Sequence, residues 1–228
     1  MRQGFQQELG AIERRLLRDV ELASATLRGL SDVVSDPSRP TPGYIEADAE
    51  RLRDSGRITH ERLVVAAARE APVASDLRLV LGFFQINEHL ALIANQFELL
   101  TEQLMEMDPE EASSSRILER LGRMASHASL QLTKAGEALA ARNPLTAEAV
   151  GRDDDALDLL NREVFAEARN VGGPVGRREL ALHQMLMARS LERVGDNAVD
   201  IAEQAAFIVT GEYREFSDAS RPKSLEHR

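Results

Sequence analysis

The segment from Leu191 to Glu203 places Glu192, Asp196 and Asp200 at i, i+4 and i+8. In a helix that interval puts three carboxylates on one face, one above the other. Asp154 and Asp158 repeat the four-residue interval in the segment before it. Two such ladders on adjacent helices supply oxygen ligands for a hard cation or an oxygen-bridged cluster. Without a metal or solvent between them, like charges at this spacing repel. At about 100° per residue, the trio lies nearly opposite the apolar stripe Leu191, Val194, Ala198 and Ile201. The acids are therefore expected on the surface, where the plain alternative is a solvated acidic face.

The remaining polar residues carry weaker signals. His60, His89, His127 and His183 are isolated in helical stretches and read as packing or surface residues. Bundle-core di-iron proteins use Glu-x-x-His, and none of the five His has Glu three positions before it. Arg193 is placed to pair with Glu192 or a neighbouring Asp. Phe83, Phe84 and Phe97, and the group Leu182, Met185, Leu186 and Met187, read as core. The basic run Arg14, Arg15 and Arg18 solvates one side of the first helix. No nucleophile–base pair, glycine-rich phosphate loop or cofactor motif stands out.

The elements that must position these acids are long helices. Phe83, Ile86, Leu90, Ile93, Phe97, Leu100 and Leu104 alternate spacings of three and four, as do Met187, Leu191, Val194, Ala198, Ile201, Ala205 and Ile208. Each set is the buried stripe of a bundle helix. Leu191 follows Leu90 by 101 positions, and Val194 follows Ile93 by the same interval. Phe5, Leu9, Ile12 and Leu16 pair with Ile117, Leu121, Met124 and Ala128 at an interval of 112. Such offsets indicate an internal repeat, with extra residues of the first half in the Pro-rich connection Ser35–Gly43. Helices are expected over 3–34, 44–70, 74–106, 112–142, 145–170 and 175–211. Pro72, Asn143-Pro144 and Gly172-Gly173-Pro174 mark breaks, and Ser75 is the expected cap of the third helix. The fold class is all-α: two tandem three-helix bundles, residues 1–108 and 109–212, with a polar, frayed tail over 213–228.

Composition agrees. Of 228 residues, 43% are hydrophobic and 4% aromatic, a balance suited to helices rather than strands. There is no Cys, which excludes disulfides, thiolate metal sites and a Cys nucleophile. No run approaches the roughly 18 uninterrupted apolar residues of a membrane span, and Met1–Glu8 lacks a signal-peptide core. The formal charge of −10 argues against general nucleic-acid binding.

The string Leu191–Glu203, with Thr210-Gly211-Glu212, resembles the second-repeat signature of the PhoU family of phosphate-transport regulators. Pro72-Val73-Ala74-Ser75-Asp76-Leu77-Arg78-Leu79 and Asp153-Asp154-Asp155-Ala156-Leu157-Asp158-Leu159-Leu160 are similar to two further family segments. The resemblance implies a six-helix, non-enzymatic cytoplasmic protein, homodimeric and at most peripherally associated with the membrane. It implies partners in the phosphate ABC transporter ATPase and a sensor histidine kinase, with repression of phosphate uptake and the phosphate-starvation response when phosphate is plentiful. It also implies a multinuclear metal cluster of iron, zinc or another divalent cation at Asp154, Asp158, Glu192, Asp196 and Asp200. The first repeat departs from the pattern: Ala91, Asn95 and Leu99 stand in place of Glu192, Asp196 and Asp200, and no pair of acids is in register around Asp48–Asp54. A diverged helical scaffold and a metal-binding protein without a phosphate role remain alternatives; a carboxylate-bridged metalloenzyme is disfavoured.

Overall fold

Among the described residues, stripes of apolar residues at three- and four-residue intervals fold into six helices. In the computed structural model these are α1 Arg2–Ser35, α2 Tyr44–Glu70, α3 Ala74–Glu106, α4 Arg116–Ala141, α5 Pro144–Ala168 and α6 Val175–Thr210. The structure describes residues 2–35, 43–107, 116–171, 173 and 175–216. The breaks expected at Asp108-Pro109 and within Ser35–Gly43 fall largely outside those residues.

The repeat is visible in which side chains are buried. Val80, Ile86, Leu90, Ile93, Ala94, Phe97 and Leu100 of α3 are buried, and so are Ala181, Met187, Leu191, Val194, Gly195, Ala198 and Ile201 of α6, each 101 positions later. On α2 and α5 the matching interval is 102: Ile45, Ala49 and Thr59 correspond to Ala147, Gly151 and Asn161. In that register Leu52 and Gly56 stand where α5 has Asp154 and Asp158. The two repeats share one core, because α1 packs on α4 and α3 packs on α6.

Local chemistry explains the helix ends. Asn143 caps α5 by accepting from Leu145 N and Thr146 N at 3.0 and 3.4 Å, with Pro144 at the first helical position, where its missing N–H costs nothing. Ser75 does not cap α3. The helix starts at Ala74 after an extended Val73, with no side-chain cap, so Ser75 falls inside the first turn. The α2–α3 connection is instead made by two alanines in the left-handed region, Ala71 (φ 41) and Ala74 (φ 50).

Two further expectations are corrected. Phe83, Phe97 and Met187 are core, but Leu182 and Leu186 are exposed. They sit on α6 to the side of the Met187 stripe, beyond the arc that α3, α4 and α5 cover. The segment after Glu212, expected to fray, is anchored as far as Phe216. The Phe216 N–H donates to the buried Glu203 Oε1 at 2.7 Å, and its side chain packs against the core. A Cβ on Gly151 would stand 2.6 Å from Phe216 Cβ.

Among the described helices, α3 alone is long and apolar enough by mean hydropathy, 1.3, to cross a membrane. Its core stripe Phe83–Leu104 is buried while Leu81, Leu92 and Leu99 are exposed, and Asn87, Glu88 and His89 interrupt the run.

Candidate functional site

α5 brings Asp154 and Asp158 to the seam with α6, and α6 brings Glu192. All three are buried, at 4%, 4% and 5% exposure. The expectation of a surface site is therefore wrong for these residues. α6 is packed by α3 on one side and by α4 and α5 on the other. Its buried arc thus extends far beyond the single stripe and takes in Glu192. Asp196 and Asp200 lie at the margin and stay partly exposed.

Gly195 makes the close approach possible. A Cβ there would overlap Leu157 Cδ2 and stand 2.9 Å from Gln131 Oε1 and 3.4 Å from Asp154 Oδ1. The Gln131 amide, from α4, donates to Asp154 Oδ1 at 2.9 Å. Lys134, one turn on, pairs with Asp153. Glu192 pairs with Arg189, three residues before it, rather than with Arg193. Asp200 turns the other way, toward α3. Its Oδ2 is 3.5 Å from His89 Nδ1, which also lies 3.0 Å from Asn197 Oδ1. A second histidine, His183, meets Gln103 at 2.9 Å along the same α3–α6 seam.

The donor set suits a hard cation, since every candidate ligand is oxygen. Two buried acceptors beside the acids, Gln131 Oε1 and Asn161 Oδ1, have no donor. The spacing of the acids is less ready: among the described residues no three His, Asp or Glu side chains come together as a metal-ligand group. Asp154 lies on the α5–α6 side, against Gly195, whereas Asp200 faces His89 of α3. Sequence reasoning missed Gln131, Arg189 and Asn197. Gln131 could have been found as a lone amide within the apolar stripe of α4.

A model of the PhoU domain matches residues 121–205, a span that contains all five acids. A phosphate-specific transport system accessory protein PhoU homolog from Rhizobium meliloti is 25% identical over 212 residues, covering 91% of this chain and 87% of its own length. The Synechocystis homolog of the same name is 27% identical over 213 residues, 91% of this chain and 92% of that protein. The chain carries a PhoU domain. A PhoU homolog 1 from Methanothermobacter thermautotrophicus is 31% identical over 146 residues, 64% of this chain and 66% of the relative. The fold is that of PhoU crystal structures. The phosphate transport system regulatory protein PhoU from Streptococcus pneumoniae superposes with a TM-score of 0.77 at 18% identity, covering 92% of this chain and 99% of that one. PhoU from Pseudomonas aeruginosa gives 0.71 at 22% identity, with 92% and 97% covered. Within the PhoU family frame, the first repeat of this chain carries Leu52, Gly56, Ala91 and Asn95 at the positions where the second carries Asp154, Asp158, Glu192 and Asp196.

Proposed function

We propose that this chain restrains phosphate uptake and the phosphate-starvation response when phosphate is plentiful, through contacts with a phosphate ABC transporter ATPase and a sensor histidine kinase. It acts by contact, without catalysis, as a cytoplasmic homodimer with at most peripheral membrane association. The observation that carries this reading is the full-length kinship with phosphate-specific transport system accessory proteins, joined to an acid-lined α5–α6 seam inside the matched domain.

In the same reading the second repeat binds a divalent metal through Asp154, Asp158, Glu192 and Asp196, with the Gln131 and Asn161 carboxamide oxygens available to complete an all-oxygen set. Oxygen-only ligands favour hard cations over zinc. Glu192 must leave Arg189 to take part, and Asp200, beside His89 on the α3 side, stays outside the set. A bound cation would offset the repulsion among these closely spaced carboxylates. Metal analysis of the purified chain after equilibration with Mg2+, Mn2+ or Fe2+, wild type against Asp154→Asn/Asp158→Asn, tests the site.

The regulatory claim is tested by deleting the gene and measuring a phosphate-starvation reporter at ample phosphate. Derepression supports it. Retained repression, with no related gene to compensate, contradicts it. The erased first-repeat motif favours a second reading, a diverged member that has kept the scaffold and one metal site. Retained repression together with metal uptake would select that reading.

A further inference from the structure

Among the described residues, three of the first repeat's buried polar atoms without a hydrogen-bond partner lie around one stretch of α2. Arg15 Nε on α1, Thr59 Oγ1 on α2 and Asn87 Oδ1 on α3 are buried and unpartnered. Thr59 is fully buried and Asn87 is 4% exposed. All three belong to the surroundings of one stretch of α2. Arg15 Nη1 donates to Ser55 Oγ at 3.2 Å, and Ser55 Oγ donates to Asp19 Oδ2 at 2.6 Å. Asn87 Nδ2 donates to Gly56 O at 3.2 Å, and a Cβ on Gly56 would meet Asn87 Oδ1 at 3.5 Å. Thr59 follows Ser55 by one helical turn, on the side of α2 between Ser55 and Gly56.

A buried polar group left unpaired costs about 1–3 kcal/mol, and native interiors rarely leave three in one place. The usual remedy is an internal water with two to four polar partners. We propose that the first repeat encloses an ordered hydration site, of water and not of metal, that satisfies Arg15 Nε, Thr59 Oγ1 and Asn87 Oδ1.

The chemistry selects water. The group includes a cationic donor, Arg15, which repels a metal ion, and its one carboxylate, Asp19, is already bonded to Ser55. Water both donates and accepts, so it alone serves a guanidinium N–H, a hydroxyl and a carboxamide oxygen together. The second repeat makes the contrast. By the repeat register Gln131 stands where Asp19 does and Asn161 where Thr59 does. Their unpartnered atoms, Gln131 Oε1 and Asn161 Oδ1, are both acceptors, and they sit beside two buried carboxylates rather than beside Leu52 and Gly56. The unpartnered atoms are thus acceptors only in the second repeat and mixed in the first. The hydration site does not depend on the second repeat's metal.

High-resolution crystals of the full chain grown in rubidium chloride test this directly. The expected result is an oxygen-sized peak within hydrogen-bond distance of Asn87 Oδ1 and Thr59 Oγ1, without rubidium anomalous signal and unchanged by chelator. An anomalous peak there, or an empty cavity, overturns the proposal. Thr59→Val provides a solution test with little change of shape. Loss of a hydrated hydroxyl lowers Tm by a few degrees, whereas removal of a truly orphaned hydroxyl in a dry core raises it, and a raised Tm also overturns the proposal.

Discussion

Gln131 donates its side-chain amide to Asp154 at 2.9 Å, and that bond ties α4 to the acid ladder of α5 inside the core. Asp154 is buried at this position, so the donor is one of the groups that offset the cost of burying its carboxyl. Gln131→Leu removes the donor and leaves the acceptor in place. It is expected to destabilise the chain by about 1.5–3 kcal/mol, the range for a bond to a charged group. Urea denaturation of the two proteins checks this. A change within about 0.5 kcal/mol, the level of an ordinary surface substitution, would show that Asp154 does not rely on Gln131.

Gly195 is the close-approach residue of the α5–α6 seam. Gly195→Ala drives a methyl into Leu157 Cδ2 and against Gln131 Oε1, and both neighbours are buried. Overpacking of this kind costs about 1–3 kcal/mol, although alanine is the better helix former by about 1 kcal/mol. The net expectation is a lowered Tm, measured by calorimetry. An unchanged or raised Tm would mean that the seam has slack.

How far these relationships were legible beforehand depended on their range in sequence. The helix spans follow from apolar spacing and from Pro72 and Pro144, both local, and the observed boundaries of α2 and α3 coincide with those read from periodicity. The burial of Glu192 was not legible. One apolar stripe predicts one buried face, but α6 is covered on two sides by helices from both repeats. The pairing of Asp200 with His89 and the anchoring of Phe216 by Glu203 join positions far apart in the chain, or a tail to a helix. Nothing in local spacing encodes either. Ser75 failed as a cap because a left-handed Ala74 had already started the helix.

Burial raises the Asp19 pKa, against the smaller opposing effects of the Ser55 hydrogen bond and of Arg15 and Arg18. The folded state then holds the Asp19 proton more tightly than the unfolded chain. Stability from this residue is therefore present at low pH and is lost as pH rises from about 4, the unfolded value, through the raised folded value. Asp19→Asn still accepts from Ser55 but carries no charge. Its stability relative to wild type is expected to improve between pH 4 and pH 7 in urea titrations. A difference independent of pH would contradict the burial effect.

Ala71 closes α2 with φ 41 and ψ 60, its N–H bonded to Ala67 O at 3.2 Å. A non-glycine residue in that conformation costs about 1–2 kcal/mol, and glycine relieves it while losing about 0.4–1 kcal/mol to the freer unfolded chain. Ala71→Gly is expected to be neutral to stabilising, by up to about 1 kcal/mol, as read from the shift in the denaturation midpoint. Clear destabilisation would show that this turn tolerates alanine without strain.

The central claim, that the acidic seam of the second repeat serves phosphate regulation, is tested most directly by complementation. A strain lacking the gene receives either the wild-type chain or Asp154→Asn/Asp158→Asn, each shown to be folded and equally abundant. Secreted alkaline phosphatase is then measured at ample phosphate. Repression restored by the wild type and not by the double variant is the predicted result. Equal repression by both would contradict a role for the acids, whatever metal they bind.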